Sequence, residues 1–173
     1  GLIAKVLGLP VKRFIAATNG NDTVPRYLQN GRWQPHATQA TLSNAMDVGN
    51  PNNWPRIQQL LDSGLITTAD LSAVAVSEAD TVQAVRDLDA LGYLSEPHAA
   101  VACKALQDSL QAGEYGVFLG TAHPAKFSES VESILGRGIE VPPALLEASR
   151  RPSLNGRIAS EYAALKAHLL ALD

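Results

Sequence analysis

The residues able to do chemistry are few. Thr121 and His123 follow the apolar run Tyr115-Gly116-Val117-Phe118-Leu119-Gly120 and precede Pro124. An apolar run this short, bounded by Gly and Pro, predicts a buried strand of a covered sheet. Ligands of open α/β sheets gather outside the carboxyl ends of the strands. Thr121 therefore has two readings: a hydroxyl presented to a bound ring or anion, or a strand-end threonine satisfying nearby backbone groups. Thr18 and Asn19 hold the equivalent place after a second short apolar run, Phe14 to Ala17. Glu96, in Ser95-Glu96-Pro97, either stabilises a helix start through its charge or turns its carboxylate into the same crevice.

Other chemistries lack their spacing. His98, His123 and Asp47 form no HxxxH, HxxE or CxxC pattern, so no metal site is expected. Ser43, in Leu42-Ser43-Asn44-Ala45, has no nucleophile-elbow spacing. Gly8, Gly20 and Gly49 are isolated, and no GxGxxG or Walker motif occurs. Lys5, Lys104, Lys126 and Lys166 fall on expected helices and Lys12 on a strand entry, where solvated faces account for them.

Those residues must be held by surrounding elements. Residues 1 to 8 read as a helix tail closed by Gly8 and Pro10. It opens without a cap, which predicts that further sequence precedes Gly1. Residues 24 to 53 lack a period, carry Pro25, Pro35 and Pro51, and are expected to form a long ordered loop holding Ser43 and Asp47. A helix is expected from Pro55 to Ser63, ended by Gly64, and a capped turn at Thr67 or Thr68. Ser72 to Val76 reads as an edge strand or a connector. Ser77-Glu78-Ala79-Asp80 opens a helix that Gly92 closes. Glu96-Pro97 starts an alanine-rich helix reaching to Gly113, and Pro124 to Leu135 reads as one amphipathic helix. Residues 136 to 153 read as connection. A terminal helix, Ile158 to Leu170, shows Tyr162, Leu165 and Leu169 on one face. Few strands beside many helices suit part of an α/β fold, an open, mostly parallel sheet with flanking helices. If Phe14 to Ala17 and Tyr115 to Gly120 share that sheet, their polar ends open on one crevice.

Composition narrows the function classes. The chain has 173 residues, 46% of them hydrophobic, so it can bury a core. Only 18% are charged, below the usual quarter, which predicts extensive buried surface or a covering neighbour. A net charge of −3 with scattered Lys and Arg argues against nucleic acid and anionic membranes as partners. No apolar run is long enough to span a bilayer. The single cysteine, Cys103, fits a reducing, cytoplasmic compartment.

Six segments in order resemble one family: Leu7-Gly8-Leu9-Pro10-Val11, Phe14 to Asp22 (FIAATNGND), Thr41 to Val48 (TLSNAMDV), Pro51 to Arg56 (PNNWPR), Gly92 to Ala102 (GYLSEPHAAVA) and Gly116 to Phe127 (GVFLGTAHPAKF). Together they are similar to the C-terminal portion of bacterial threonine synthases. The resemblance implies a fold-type II enzyme with pyridoxal 5'-phosphate, converting O-phospho-L-homoserine and water to L-threonine and phosphate in the cytoplasm. It places residues 1–136 in the large cofactor-binding α/β domain and residues 137–173 in a C-terminal connection and helix packed on it.

By the same resemblance, the Thr121 hydroxyl pairs with the pyridine nitrogen, Asn19 (with Thr18) and Glu96 lie near the ring, and Ser43 and Asp47 lie on the substrate side. The family's Schiff-base lysine, Gly-Asn-Phe-Gly-like phosphate loop and substrate-phosphate arginine belong upstream of these motifs. No catalytic residue is therefore expected here, and this stretch alone is expected to be inactive without its N-terminal partner segment. Two other readings stay open: a related phospholyase giving 2-oxobutyrate, and a non-catalytic α/β binding module.

Overall fold

The computed structural model describes residues 1–172, which divide into two compact units at Glu140/Val141. The first is built on two parallel strands, β1 (Phe14–Thr18) and β2 (Leu71–Ala75), paired from Phe14↔Leu71 to Thr18↔Ala75. Strand side chains alternate faces, so each face collects its own core. Phe14, Ala16, Leu71 and Ala73 pack with Val24, Tyr27 and Trp54; Ile15, Ala17, Val74 and Val76 pack with Met46, Val101 and Ala105.

Helices cover both faces. Before the sheet lies α1 (Leu2–Val6); α2 (Thr23–Asn30) and α3 (Trp54–Asp62) follow β1. After β2 come α4 (Glu78–Ala90) and α5 (Pro97–Ser109). The capping signal at Ser77 acts as read, and of the two threonines left open before β2 it is Thr67 that caps. Ser77 accepts from the Asp80 amide at the head of α4, and Thr67 and Asp70 form a reciprocal capping box before β2. Ala100 and Ala105 of α5 are fully buried, the small side chains allowing close approach, and α4, α5 and α6 (Ser128–Leu135) share a core of Val85, Leu88, Ala100, Cys103 and Ile134. Full burial of Val85, Val101 or Val131 is worth about 1.5–3 kcal/mol each.

Four expectations are corrected. The span 24 to 53 is not all loop: α2 occupies its start, because Pro25 falls in a first turn where its missing N–H costs nothing, and Gly31 closes the helix in the left-handed region. Pro124 to Leu135 is two pieces, a 3-10 turn Pro124–Phe127 and then α6, broken where Phe127 leaves helical geometry.

The run Tyr115 to Gly120 is not a buried strand and does not join the sheet. Tyr115, Val117 and Leu119 are 102%, 86% and 73% exposed. Phe118 turns the other way, packing near α5 and meeting the Tyr93 ring edge-on at 6.2 Å. The alternation of a strand is present, but no ladder partner is found among the described residues. Finally, the connection after Gly136 contains a helix, α7 (Pro143–Arg150).

The second unit, from Val141, holds α7 and α8 (Tyr162–Leu170). Tyr162, Leu165 and Leu169 of α8 are exposed.

Candidate functional site

The carboxyl end of β1 runs into Asn19 and Asn21, both buried, and the loop of residues 38–49 folds onto them. The Asn19 amide nitrogen has Thr41 Oγ1 at 2.8 Å, Asp47 Oδ1 at 2.9 Å and Ser43 Oγ at 3.0 Å. Its carbonyl oxygen accepts from the backbone and side-chain nitrogens of Asn21. Asp47 closes the ring by accepting from the Thr41 hydroxyl at 2.7 Å and the Thr41 amide at 2.9 Å. The Thr23 hydroxyl donates to the Gly49 carbonyl at 2.6 Å. Only glycine fits at 49, since a Cβ there would stand 2.3 Å from the His36 carbonyl oxygen. Every member of this network has a partner, and such satisfied buried networks rigidify the chain around them.

Glu96 is 1% exposed and caps α5: its carboxylate accepts from the His98 and Ala99 amides at 2.8 Å each. It also pairs with His98 Nδ1. The other ring nitrogen of His98 accepts from the Ala45 amide at 3.0 Å, so α5 and the Asn44–Met46 turn are joined through one imidazole.

Thr121 is exposed, and among the described residues its hydroxyl has no hydrogen-bond partner. The backbone around it is fixed on both sides. A Cβ at Gly120 would lie 2.9 Å from the Tyr93 hydroxyl. His123 caps the following 3-10 turn by accepting from the Ala125 amide at 3.1 Å. Among the described residues one buried side-chain atom is left unpaired, the Thr18 hydroxyl at the last residue of β1. Buried polar groups nearly always find partners, so this hydroxyl has capacity for an added ligand or water.

Asn19, Ser43 and Asp47 are thus brought together in one network. Glu96 stands in a second cluster tied to it through the Asn44–Met46 turn, and Thr121 is offered separately to the outside. Sequence reasoning missed the linking role of His98 and the part played by Thr41 and Asn21. The spacings Asn19-x-Asn21 and Thr41-x-Ser43 were the available signals.

The site contains no lysine. Lys5 pairs with Asp70, Lys12 with Glu114 and Lys104 with Asp108, while Lys126 and Lys166 are exposed. Among the described residues no cluster of three His, Cys, Asp or Glu could hold a metal ion, and no helix is long and apolar enough to cross a membrane. What the arrangement offers is a rigid polar wall with two hydroxyls, Thr18 and Thr121, available for hydrogen bonding.

The family model described as "Threonine synthase, C-terminal" matches residues 99–169. Threonine synthase of Serratia marcescens is 56% identical over 172 residues, covering 99% of this chain and 40% of that protein. The crystal structure of threonine synthase from Escherichia coli superposes with a TM-score of 0.93 at 56% identity, over all of this chain and 40% of that one. A pyridoxal-phosphate-bound threonine synthase from Brucella melitensis gives a TM-score of 0.82 at 25% identity, over 96% of this chain and 42% of that one. The chain spans about 40% of the length of these relatives.

Proposed function

The chain belongs to the threonine synthase family, matching the C-terminal part of its members, and from that premise we propose that it forms one wall of a pyridoxal-phosphate site. The protein carrying that site converts O-phospho-L-homoserine and water to L-threonine and phosphate, a carbon–oxygen lyase reaction of the cytoplasm. The observation that carries this reading is the unengaged Thr121 hydroxyl, held between a glycine pressed against Tyr93 and a turn capped by His123.

The residues present fit the cofactor. Thr121 can donate to the pyridine nitrogen, and the orphaned Thr18 hydroxyl, at the carboxyl end of β1, has capacity for a further hydrogen bond. When bound, the cofactor supplies the electron sink for proton loss beside the amino-acid carboxylate. A hydroxyl is a weaker partner for the ring nitrogen than a carboxylate, so Thr121 orients the ring without requiring the nitrogen to be protonated.

Asn19 contributes through its network. It fixes the loop bearing Ser43 and Asp47, which face the substrate in this reading. The Asp47 carboxylate is engaged with Thr41 and Asn19, so its part is to orient rather than to move protons. Glu96 acts beside the ring by fixing the start of α5. The lysine that binds the cofactor and the residues that hold the two phosphates come from the N-terminal partner segment, and this stretch alone is inactive. Residues 1–136 serve the cofactor domain, and residues 137–173 form the terminal connection and helix.

The test is product analysis. The full-length protein, loaded with pyridoxal phosphate and given O-phospho-L-homoserine, is expected to release L-threonine and phosphate in equal amounts. 2-Oxobutyrate as sole product assigns the phospholyase reaction instead, and no turnover returns the chain to a binding role.

A further inference from the structure

We infer that His98 is a positioning residue that locks the substrate-side turn onto the start of α5; the inference rests on the placement of Ser43 and Asp47 proposed above. The partners of the imidazole fix where its hydrogen sits. On one side is the Glu96 carboxylate, an acceptor already held by two backbone amides, so Nδ1 carries the hydrogen. On the other is the Ala45 amide, a donor at 3.0 Å, so Nε2 presents its lone pair.

The side chain is 12% exposed, and its ring packs on Phe127 with centroids 4.6 Å apart. Phe127 ends the 3-10 turn that follows Thr121. One imidazole therefore touches the cap of α5, the centre of the Ser43–Asp47 turn and the turn beyond Thr121.

The lock adds to what the network already does. Ser43 and Asp47 are tied to Asn19, and Met46 packs into the core beside Val101. Ala45, between them, is exposed and donates its amide to His98. Removing that acceptor releases the middle of the turn while leaving its ends attached. Ser43 and Asp47 keep their bonds to Asn19 but lose the fixed spacing that the held middle of the turn imposes, and nothing that reacts is removed.

Two variants of the holoenzyme separate this from a plain packing role. In His98→Asn the amide can still donate to Glu96 but cannot reach Ala45. In His98→Gln a carbonyl oxygen can take the Nε2 place. His98→Asn is expected to raise KM for O-phospho-L-homoserine about tenfold while kcat stays within about threefold, and His98→Gln to recover most of the loss. Exchange of the Ala45 amide hydrogen, followed by mass spectrometry, is expected to speed up about tenfold in His98→Asn and to stay near the wild-type rate in His98→Gln. Equal loss in both variants, a loss confined to kcat, or unchanged Ala45 exchange in His98→Asn overturns the inference. Wild-type turnover reports separately on the reaction: absence of threonine overturns that assignment, while the Ala45 exchange pattern alone decides whether His98 holds the turn.

Discussion

Arg13 grips Glu114 with two parallel hydrogen bonds of 2.9 Å across a hundred residues of sequence. The pair ties the entry of β1 to the loop just before Tyr115, and Arg13 also donates to the Ser109 carbonyl at the end of α5. The segment leading to Thr121 is thereby anchored at its base, although it shares no ladder with the sheet. Bidentate guanidinium–carboxylate geometry gives this contact directional strength.

Glu114 should betray itself in acid. The hydrogen bonds from Arg13 and Lys12 and from the Gln111 amide hold its carboxyl at about 2, down from 4.5. A lowered carboxylate pKa contributes stability that is complete above the ordinary value and is lost as pH falls through the folded one. Thermal melts of wild type and Glu114→Gln should therefore differ above pH 4.5 and converge towards pH 2. A constant difference across that range would remove the pair from the account.

Asn19 is the keystone of the buried network. Asn19→Ala leaves the buried Asn21 backbone amide without its acceptor and removes one donor from Asp47, and is expected to cost about 2–4 kcal/mol in urea unfolding. Asn19→Asp is expected to do worse at pH 7, because a second carboxylate would face Asp47. That extra penalty should fade on acidification as one of the two acids takes up a proton. A neutral effect of both substitutions would mean that the network does not organise the loop.

His36 clasps the long loop to α2. Its Nε2 lies 3.0 Å from Asp22, which also receives Arg26. The bond to the Ala37 carbonyl and the contact with Asp22 raise the histidine pKa above 6.5. Burial pushes Asp22 up, but Arg26 and His36 together hold it below 3.8. The histidine's contribution is complete below about 6.5 and is lost as pH rises through its folded value; the aspartate's is complete above about 3.8 and is lost as pH falls. His36→Gln should therefore cost most near pH 5, by less than about 1 kcal/mol given the exposure of the pair. An NMR titration of His36 with its midpoint below that of a free histidine would contradict this.

What the sequence made legible was local. Ser77 with Asp80, Thr67 or Thr68, and Glu96 before Pro97 announced helix starts through local polar side chains, and the structure places caps at Ser77, Thr67 and Glu96. Phe14 to Ala17 declared itself by apolar character followed by turn residues, and β1 runs one residue further, to Thr18. Helix α2 was hidden because Pro25 reads as a breaker unless it falls in the first turn, which depends on where Asp22 ends the preceding turn. Tyr115 to Gly120 has the alternation of a strand, but an apolar run does not say whether its partners lie in the same stretch of chain.

At the site, Asn19, Ser43 and Asp47 were picked out one by one, but their meeting was not legible. Their bonds cross 24 and 28 residues and arise only when the loop folds back on β1. The same holds for His98, whose contact with Ala45 spans 53 positions.

The central claim, that Thr121 holds the cofactor ring, is tested most directly by the dissociation constant of pyridoxal phosphate from the full-length protein, read from its visible absorbance. Thr121→Val removes the hydroxyl with little change of shape and is expected to weaken binding by about 1–3 kcal/mol, with a shifted absorption band, whereas Thr121→Ser should bind nearly as wild type. Wild-type affinity and an unshifted band in Thr121→Val would contradict the account.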